Sequence, residues 1–485
     1  LFNHLTCKYT AHIMVKSPKY FNGYRDLLVW RISMYTVTKG SSSFNKDILR
    51  LAVPIVLQNI VTTAVNSADV IMLGFVGQNA LSAGSLANQV MFILQLVYTG
   101  ISSGVIMLAA QYWGKKDTKT IEHIMGIGMQ LSIFISSMFF IMAFFFPHVL
   151  MRIFTNDINL ITEGIPYLRM VSFSYLFMSF SQVYLCAMRS IERVHFSTVT
   201  NAVALILNII FNTVFIFGLF GAPKLGILGV ALATVIARAV EFTICVIDNF
   251  IPKAIHFHIK NVLEVNKILF FDFMKYSLPA FGNEIVWGVA FSMYSVIMGH
   301  LDSDIVAANA VVVVARNLGT VACFGIADAG AIILGKSIGS GNTDTIKSDS
   351  SHFVKITSMS AVVGGIVIFL LRPVFFTMAD LTPTAKSYLS IMLFINMYYI
   401  VGQAFNTAMI CGVFRSGGDS KWGFFCDIID MWCYSVPLGF ISAFVLKLPP
   451  MWVYFLICTD EFVKIPFVYK HYKSYKWLKN ITRDF

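Results

Sequence analysis

Apolar runs of about twenty residues, the length at which a helix rising about 1.5 Å per residue crosses about 30 Å of hydrocarbon, recur twelve times along this 485-residue chain. They lie near residues 48–72, 86–111, 122–147, 164–187, 197–219, 226–249, 273–298, 305–334, 353–377, 386–411, 423–446 and 449–469. A chain patterned this way folds as helices in a bilayer, because hydrocarbon offers backbone N–H and C=O groups no partner outside the segment itself. Composition agrees: AVILMFWYC takes 57% of positions and DEKR only 13%, about half the charge of a soluble domain. The 44 Phe, 23 Met and 19 Tyr exclude disorder equally well. The expected fold class is an all-α polytopic membrane protein, with twelve transmembrane helices in two six-helix pseudo-symmetric lobes.

The formal charge of +11 would direct a soluble protein toward nucleic acid, but here it sorts by side of the membrane. Alternating through twelve crossings, 28 of the 36 Lys and Arg fall on the side of the two termini. Six (Arg152, Arg169, Lys224, Arg372, Lys386 and Lys447) fall opposite, and Arg238 and Arg316 sit within spans. Cytoplasmic loops carry such an excess. Both termini are therefore expected in the cytoplasm and the protein in a plasma membrane, a bacterial inner membrane, with lipid and not nucleic acid around it. A membrane-impermeant maleimide added to intact cells should label a cysteine placed at Lys224 and spare cysteines placed at Lys119 or Lys347. Labelling at Lys119 from outside overturns the orientation.

On this count residues 1–46 are an N-terminal extension, 47–249 an N-lobe, 250–272 a cytoplasmic linker, 273–469 a C-lobe and 470–485 a basic cytoplasmic tail. The stretch before Met34 reads as a basic arm, a membrane-surface segment or a misplaced gene start, the last being favoured. No apolar leader is visible in residues 1–46. Of eight cysteines only Cys7 lies clearly outside a span, and no CxxC or metal-spaced His/Cys cluster occurs. Neither a disulfide framework nor a metal or cofactor site is expected.

The halves repeat. Residues 279–346 overlay residues 54–121 at a constant offset of 225, without a gap and with twelve of 68 pairs identical. Pro54 answers Pro279, Gly74 Gly299, Gly100 Gly325 and Gly114 Gly339. Six crossings separate partners, so the halves are parallel repeats about an axis along the membrane normal, a design that places a substrate site at the repeat interface.

Ionisable residues within spans are the functional candidates. Asp69 follows Pro54 by fifteen residues, with Asn66 and Thr62 on its helix face. Such an oxygen cluster suits a proton or sodium ion, and an interfacial Asp reaching water is the plainer reading. Glu284 follows Pro279 by five residues. It is expected to be neutralised or to pair with a cation, or else to be a hydrogen-bonded structural acid. Pro54 and Pro279 are expected to bend their helices. Asn208 and Asn212 share a face of span five, where they serve Asp69, coordinate a cation or staple helices together. Arg316, Asp328, Asp427 and Asp430 complete the buried set. Arg316 suits an anionic substrate or, more plainly, neutralises Glu284 or Asp328; Arg238 is expected to pair with Glu241. The absence of a GxxxxGK[ST] loop, a potassium-filter sequence and aspartate-rich diphosphate loops excludes ATP-driven, channel and prenyltransferase readings and leaves ion-gradient transport.

Over residues 45–470 the sequence resembles the multidrug and toxic compound extrusion (MATE) transporters. The resemblance rests on the repeat, on AAQYWGKKDTKTI and GAIILGKSIGSGNTDTI at the ends of spans two and eight, and on the turns AMRSIERVHF and GVFRSGGDSK. It implies a non-enzymatic antiporter exporting organic cations or amphipathic drugs, with Asp69, Asn208 and Asn212 coupling a proton or sodium ion. Glu284, Asn66, Gln403, Asn406 and Arg316 would line the substrate cavity, and sodium, if used, would sit at Asp69 or Glu284. Asn212 stands where DinF-like members often carry Asp, and the span-ten acid of NorM-like members is replaced by the stretch with Gln403, Ala404 and Asn406. A monomer is expected. The alternative is a lipid-linked precursor flippase, whose cavity would be rich in Arg and Lys.

Overall fold

The computed structural model describes residues 44–484 except 63–71, 74, 252–254, 264–265, 342 and 378–380. Contacts divide the chain into Leu1–Asp47 and Ile48–Phe485, and the helical bundle lies in the second unit. Asp69, Asn66 and the 1–33 stretch fall outside the described residues.

The long helices follow the apolar runs in order. They are α1 (to residue 62), α2 (Gln78–Lys115), α3 (Thr118–Phe145), α4 (Ile158–Ser190), α5 (Val194–Phe217), α6 (Ile227–Phe250), α7 (Lys267–Gly299), α8 (Ser303–Gly339), α9 (Thr343–Leu370), α10 (Pro383–Phe414), α11 (Ser420–Val445) and α12 (Pro450–Ile457 continuing as Asp460–Lys473). Among the described residues nine are long and apolar enough to cross a membrane, and no strand is present. The other three are α1, described only to residue 62; α7, with polar residues such as Asn283 and Glu284 in its middle; and α12, interrupted after Ile457. Polar loop residues set the starts: Asp117 accepts from Thr120 N, Asn266 from Ile268 N and Leu269 N, Asp302 from Asp304 N, and Thr382 from Ala385 N. Each satisfies an orphan N–H of a first turn. The Asn266 cap is why α7 begins at 267 rather than 273. Pro54 and Pro279 both lie inside helix.

Repeated glycines make the seam between the halves. A Cβ on Gly100 of α2 would stand 2.5 Å from Phe281 Cβ of α7, and one on Gly325 of α8 would stand 2.6 Å from Val56 Cγ2 of α1. These two contacts are images of each other at the offset of 225. At the basic end a Cβ on Gly114 would strike the Lys336 carbonyl and one on Gly339 the Gln111 carbonyl, again an exchanged pair. Glycine is required there because two helix backbones touch, and the touch closes that end of the seam.

The C-terminal residues strap the same end. Gln111 Nε2 donates to the Ser416 carbonyl (2.7 Å) and to the Lys479 carbonyl (3.2 Å), and its Oε1 accepts from Ile481 N (2.9 Å). Trp477 is fully buried and donates to the Tyr472 carbonyl. Arg483 pairs with Asp272 at 2.7 Å, Lys115 pairs with Asp484, and Lys336 pairs with Glu192 at 2.6 Å.

Asp419, in the turn before α11, bonds His471 (2.8 Å) and faces Lys479 (3.6 Å). Burial works to raise its carboxyl, but the His471 hydrogen bond and the Lys479 charge outweigh that and hold it below the ordinary aspartate range. A lowered folded value means that the ionised carboxylate favours the docked strap. That contribution is complete above an ordinary aspartate value of about 3.9 and is lost as pH falls through the lowered folded value. The protection factor of the Ile481 amide, its exchange relative to the intrinsic rate at the same pH, should fall over that acidic window in the wild type. Asp419→Asn should show the lower protection already at neutral pH; equal protection in both proteins would remove Asp419 from the strap.

Candidate functional site

Where the four central helices meet, the seam is hollow. A cavity of about 270 Å³ on the N-half side adjoins one of about 360 Å³ on the C-half side, and the two share Thr99, Asp328, Cys411 and Arg415. Glu284, Gln403 and Asn406 line the second together. The arginines at corresponding turns of the two halves, Arg189 and Arg415, both reach the first.

Glu284 is neutralised, but not by Arg316. Arg415 Nη2 bonds Glu284 Oε1 at 2.8 Å while Nη1 donates to Ser103 Oγ at 3.2 Å, so one guanidinium ties α10 to both α7 and α2. Arg189, Arg415 and Glu284 are the charges acting on Asp328. Arg316 is excluded from this group by geometry, since it stands twelve residues before Asp328 on α8, about 18 Å along the axis. It lines a separate chamber instead. Arg415 was counted with the loops on sequence; folded, its side chain is only 11% exposed.

A second cluster lies between α11 and α12. Lys464 Nζ stands 2.9 Å from Asp427 Oδ1, 3.3 Å from Glu461 Oε2 and 3.4 Å from Asp430 Oδ2, with all four side chains at most 7% exposed. Asn283 donates to Asp427 Oδ2 and Asn406 to Glu461 Oε2, while Tyr294 donates to Asp460. Helix turns widened to i→i+5 geometry at Ala408–Phe414 and Ile428–Ser435 flank the cluster, a distortion frequent at functional sites. The charge count on sequence placed Lys464 on the cytoplasmic side, and Asp460 and Glu461 were passed over. The signal was present, because TDEFVK falls inside the apolar run 449–469. Moving Arg415 and Lys464 into the bundle leaves 26 basic residues against six, so the charge asymmetry stands.

In the N-half, Asn208 Nδ2 donates to Thr234 Oγ1 (3.2 Å) and Asn212 Nδ2 to Asn208 Oδ1 (3.3 Å), which ties α5 to α6. Arg238 pairs with Glu241 at 2.5 Å. Thr62 bonds the Gln58 carbonyl and lines the N-half cavity; its neighbours Asn66 and Asp69 are outside the described residues. Among those described, the lining of the two cavities carries four carboxylates (Glu284, Asp328, Asp427, Glu461) and four bases (Arg189, Arg238, Arg415, Lys464). Arg415 and Lys464, counted outside the spans on sequence, are what bring the bases level with the acids.

An all-α multi-pass membrane protein of two repeated halves around a central polar cavity is the class that these features define. The MatE family pattern matches residues 54–214 and again 279–441, two stretches whose starts lie 225 residues apart. The chain belongs to the MATE family of membrane transporters and is not an enzyme. It is similar to the probable multidrug resistance protein YoeA of Bacillus subtilis, with 24% identity over 462 residues, 93% of this chain and 98% of that protein. It is also similar to a probable multidrug resistance protein NorM of Thermotoga maritima, with 22% identity over 449 residues, 90% and 95% of the two chains. Among solved structures, the outward-facing conformation of a multidrug resistance MATE family transporter superposes with a TM-score of 0.80 at 18% identity, over 89% of this chain and 97% of that one.

Proposed function

We propose that the protein is a secondary active antiporter exporting cationic or amphipathic organic compounds, in exchange for protons or sodium ions. The observation that carries this reading is the cavity at the repeat interface, closed by backbone contact at its basic end and lined by acids and bases in equal number, most of them paired. Paired charges leave no strong fixed field of one sign, so a range of amphipathic bodies is admitted, with Trp287, Phe324 and Met107 as adaptable apolar wall. The names of the relatives, multidrug resistance proteins, support the same substrate range. Lipid-linked precursor transport is disfavoured, because a diphosphate needs unpaired bases. Here Arg238, Arg415 and Lys464 each pair with a carboxylate, which leaves Arg189 as the one base of the lining with no salt bridge among the described residues.

Coupling is assigned to Asp69, with Asn208 and Asn212 beside it on sequence grounds, and the favoured ion is the proton; Glu284 and its neighbours Gln403 and Asn406 serve the substrate. Both termini are placed in the cytoplasm of a cell whose plasma membrane holds the protein as a monomer. Uptake of ethidium into inverted vesicles under an imposed pH gradient should persist without sodium. Collapse of uptake on sodium removal at constant pH gradient makes sodium the coupling ion. Asp69→Asn keeps the side-chain shape and removes the charge; it should reduce gradient-driven uptake to background while expression and insertion stay normal. Wild-type uptake in that variant would take Asp69 out of the mechanism.

A further inference from the structure

The third cavity, about 390 Å³, lies toward the ends of α7, α8, α10 and α12 away from the basic loops, and meets the central cavity at Trp287. Phe92 of α2 reaches it from the other half. Its walls are aromatic, and no carboxylate lines it among the described residues. Its one charge is Arg316, whose guanidinium carbon stands 4.5 Å from the Phe291 ring centre and 6.0 Å from that of Tyr399. Arg316 makes no salt bridge or side-chain hydrogen bond among the described residues, an expensive condition for a cation inside a bilayer span.

A second, independent group in the same chamber lacks a partner. Tyr399 is 2% exposed and its hydroxyl has no hydrogen-bond partner among the described residues, whereas Tyr294 and Tyr454 of the same wall are satisfied by Asp460 and by Asn396. A buried hydroxyl without a partner is destabilising by about 1–3 kcal/mol, so two unmet polar groups in one chamber call for a shared acceptor. A cation would meet a fixed like charge here, and a neutral acceptor would satisfy donors but leave the guanidinium charge without a counter-charge. A carboxylate meets both, through a planar fork on Arg316 and one bond from Tyr399.

We propose that this chamber is a subsite for the carboxylate of an amphipathic aromatic acid, with the aromatic body held against Phe291 and Trp287. The inference rests on the export reading and narrows it: the substrate range extends to organic anions and to zwitterions whose cationic end lies toward the central cavity. The competing explanation is that Arg316 only offsets Asp460 behind the wall. Asp460 receives the Tyr294 hydroxyl and acts on Tyr399 at a distance, without lining the chamber.

Equilibrium binding to the full chain in lipid nanodiscs separates the possibilities, with empty discs subtracted. The probes are tritiated 1-naphthylacetate and its neutral amide, 1-naphthylacetamide. The acid should bind at least about tenfold more tightly than the amide. Arg316→Gln should remove that preference, Arg316→Lys should keep part of it, and Tyr399→Phe should reduce acid binding about threefold, in line with one charge-assisted bond. Equal binding of acid and amide to the wild type overturns the proposal. So does an unchanged preference in both Arg316→Gln and Tyr399→Phe, or a loss of thermal stability in Arg316→Gln with the preference intact, which is the signature of a counter-charge to Asp460. Binding requires no gradient. A protein that shows the acid preference yet fails to accumulate ethidium in vesicles therefore refutes export and leaves the subsite standing.

Discussion

Replacing Lys464 by Met should be the most damaging single change in the bundle. The ammonium is the only cation within 4 Å of Asp427, Asp430 and Glu461 among the described residues, and those carboxylates are at most 7% exposed. Removing one partner of a buried ionic group leaves uncompensated charge, at about 3–5 kcal/mol; here three carboxyl groups would be left without their cation. Lys464→Met is expected to yield little monodisperse protein, or protein whose unfolding midpoint in detergent falls steeply. Lys464→Met with Asp427→Asn and Asp430→Asn should recover much of the loss, because replacing a whole buried ionic group by neutral side chains is often close to neutral. A Lys464→Met protein as stable as wild type would show that the cluster is already neutral in the folded state.

The second large effect is expected at Arg415. Its guanidinium joins Glu284 of α7 and Ser103 of α2, so it is both a charge partner and a clamp across the seam. Arg415→Gln should destabilise by about 3 kcal/mol and reduce vesicle uptake by more than tenfold. Arg415→Gln with Glu284→Gln should regain the stability, since the stranded carboxylate is gone, but not the transport, since both the clamp and the carboxylate assigned to the substrate are missing. Equal recovery of both would mean that the pair is purely structural. Full transport in Arg415→Gln would mean that the seam works without it. Both groups line the same cavity, and Asn283, beside Glu284, bonds Asp427, so the effects of the two changes should couple rather than add.

Hydropathy, charge placement and the offset of 225 were sufficient to read the class, the helix order and the halves, because each is a property of composition or spacing along one segment. The twelve apolar runs reappear as α1 to α12, and the repeated glycines, legible only as punctuation, become the points where backbones of opposite halves touch. Of the residues expected at the substrate cavity, Glu284, Gln403 and Asn406 line one cavity, Arg316 lines another, and Asn66 lies outside the described residues. Asp427 and Asp430 were seen as buried acids, but their partner was not.

What only the tertiary structure decided is which charge answers which. Arg415 sits beside a turn and Lys464 near a helix end, positions that read as water-facing. Both are drawn inside because Glu284 and the Asp427–Asp430 pair stand on other helices, far away in sequence, with Glu461 one turn before Lys464 on its own helix completing the second group. Arg316 shows the converse. Its place in span eight made it a natural partner for Asp328, but twelve residues of helix hold the two about 18 Å apart, and aromatic rings surround it instead. Local pattern determines which segments enter the membrane, since each segment meets the bilayer with its own side chains. The pairing of charges inside depends on distances between segments, and those exist only once the helices have packed.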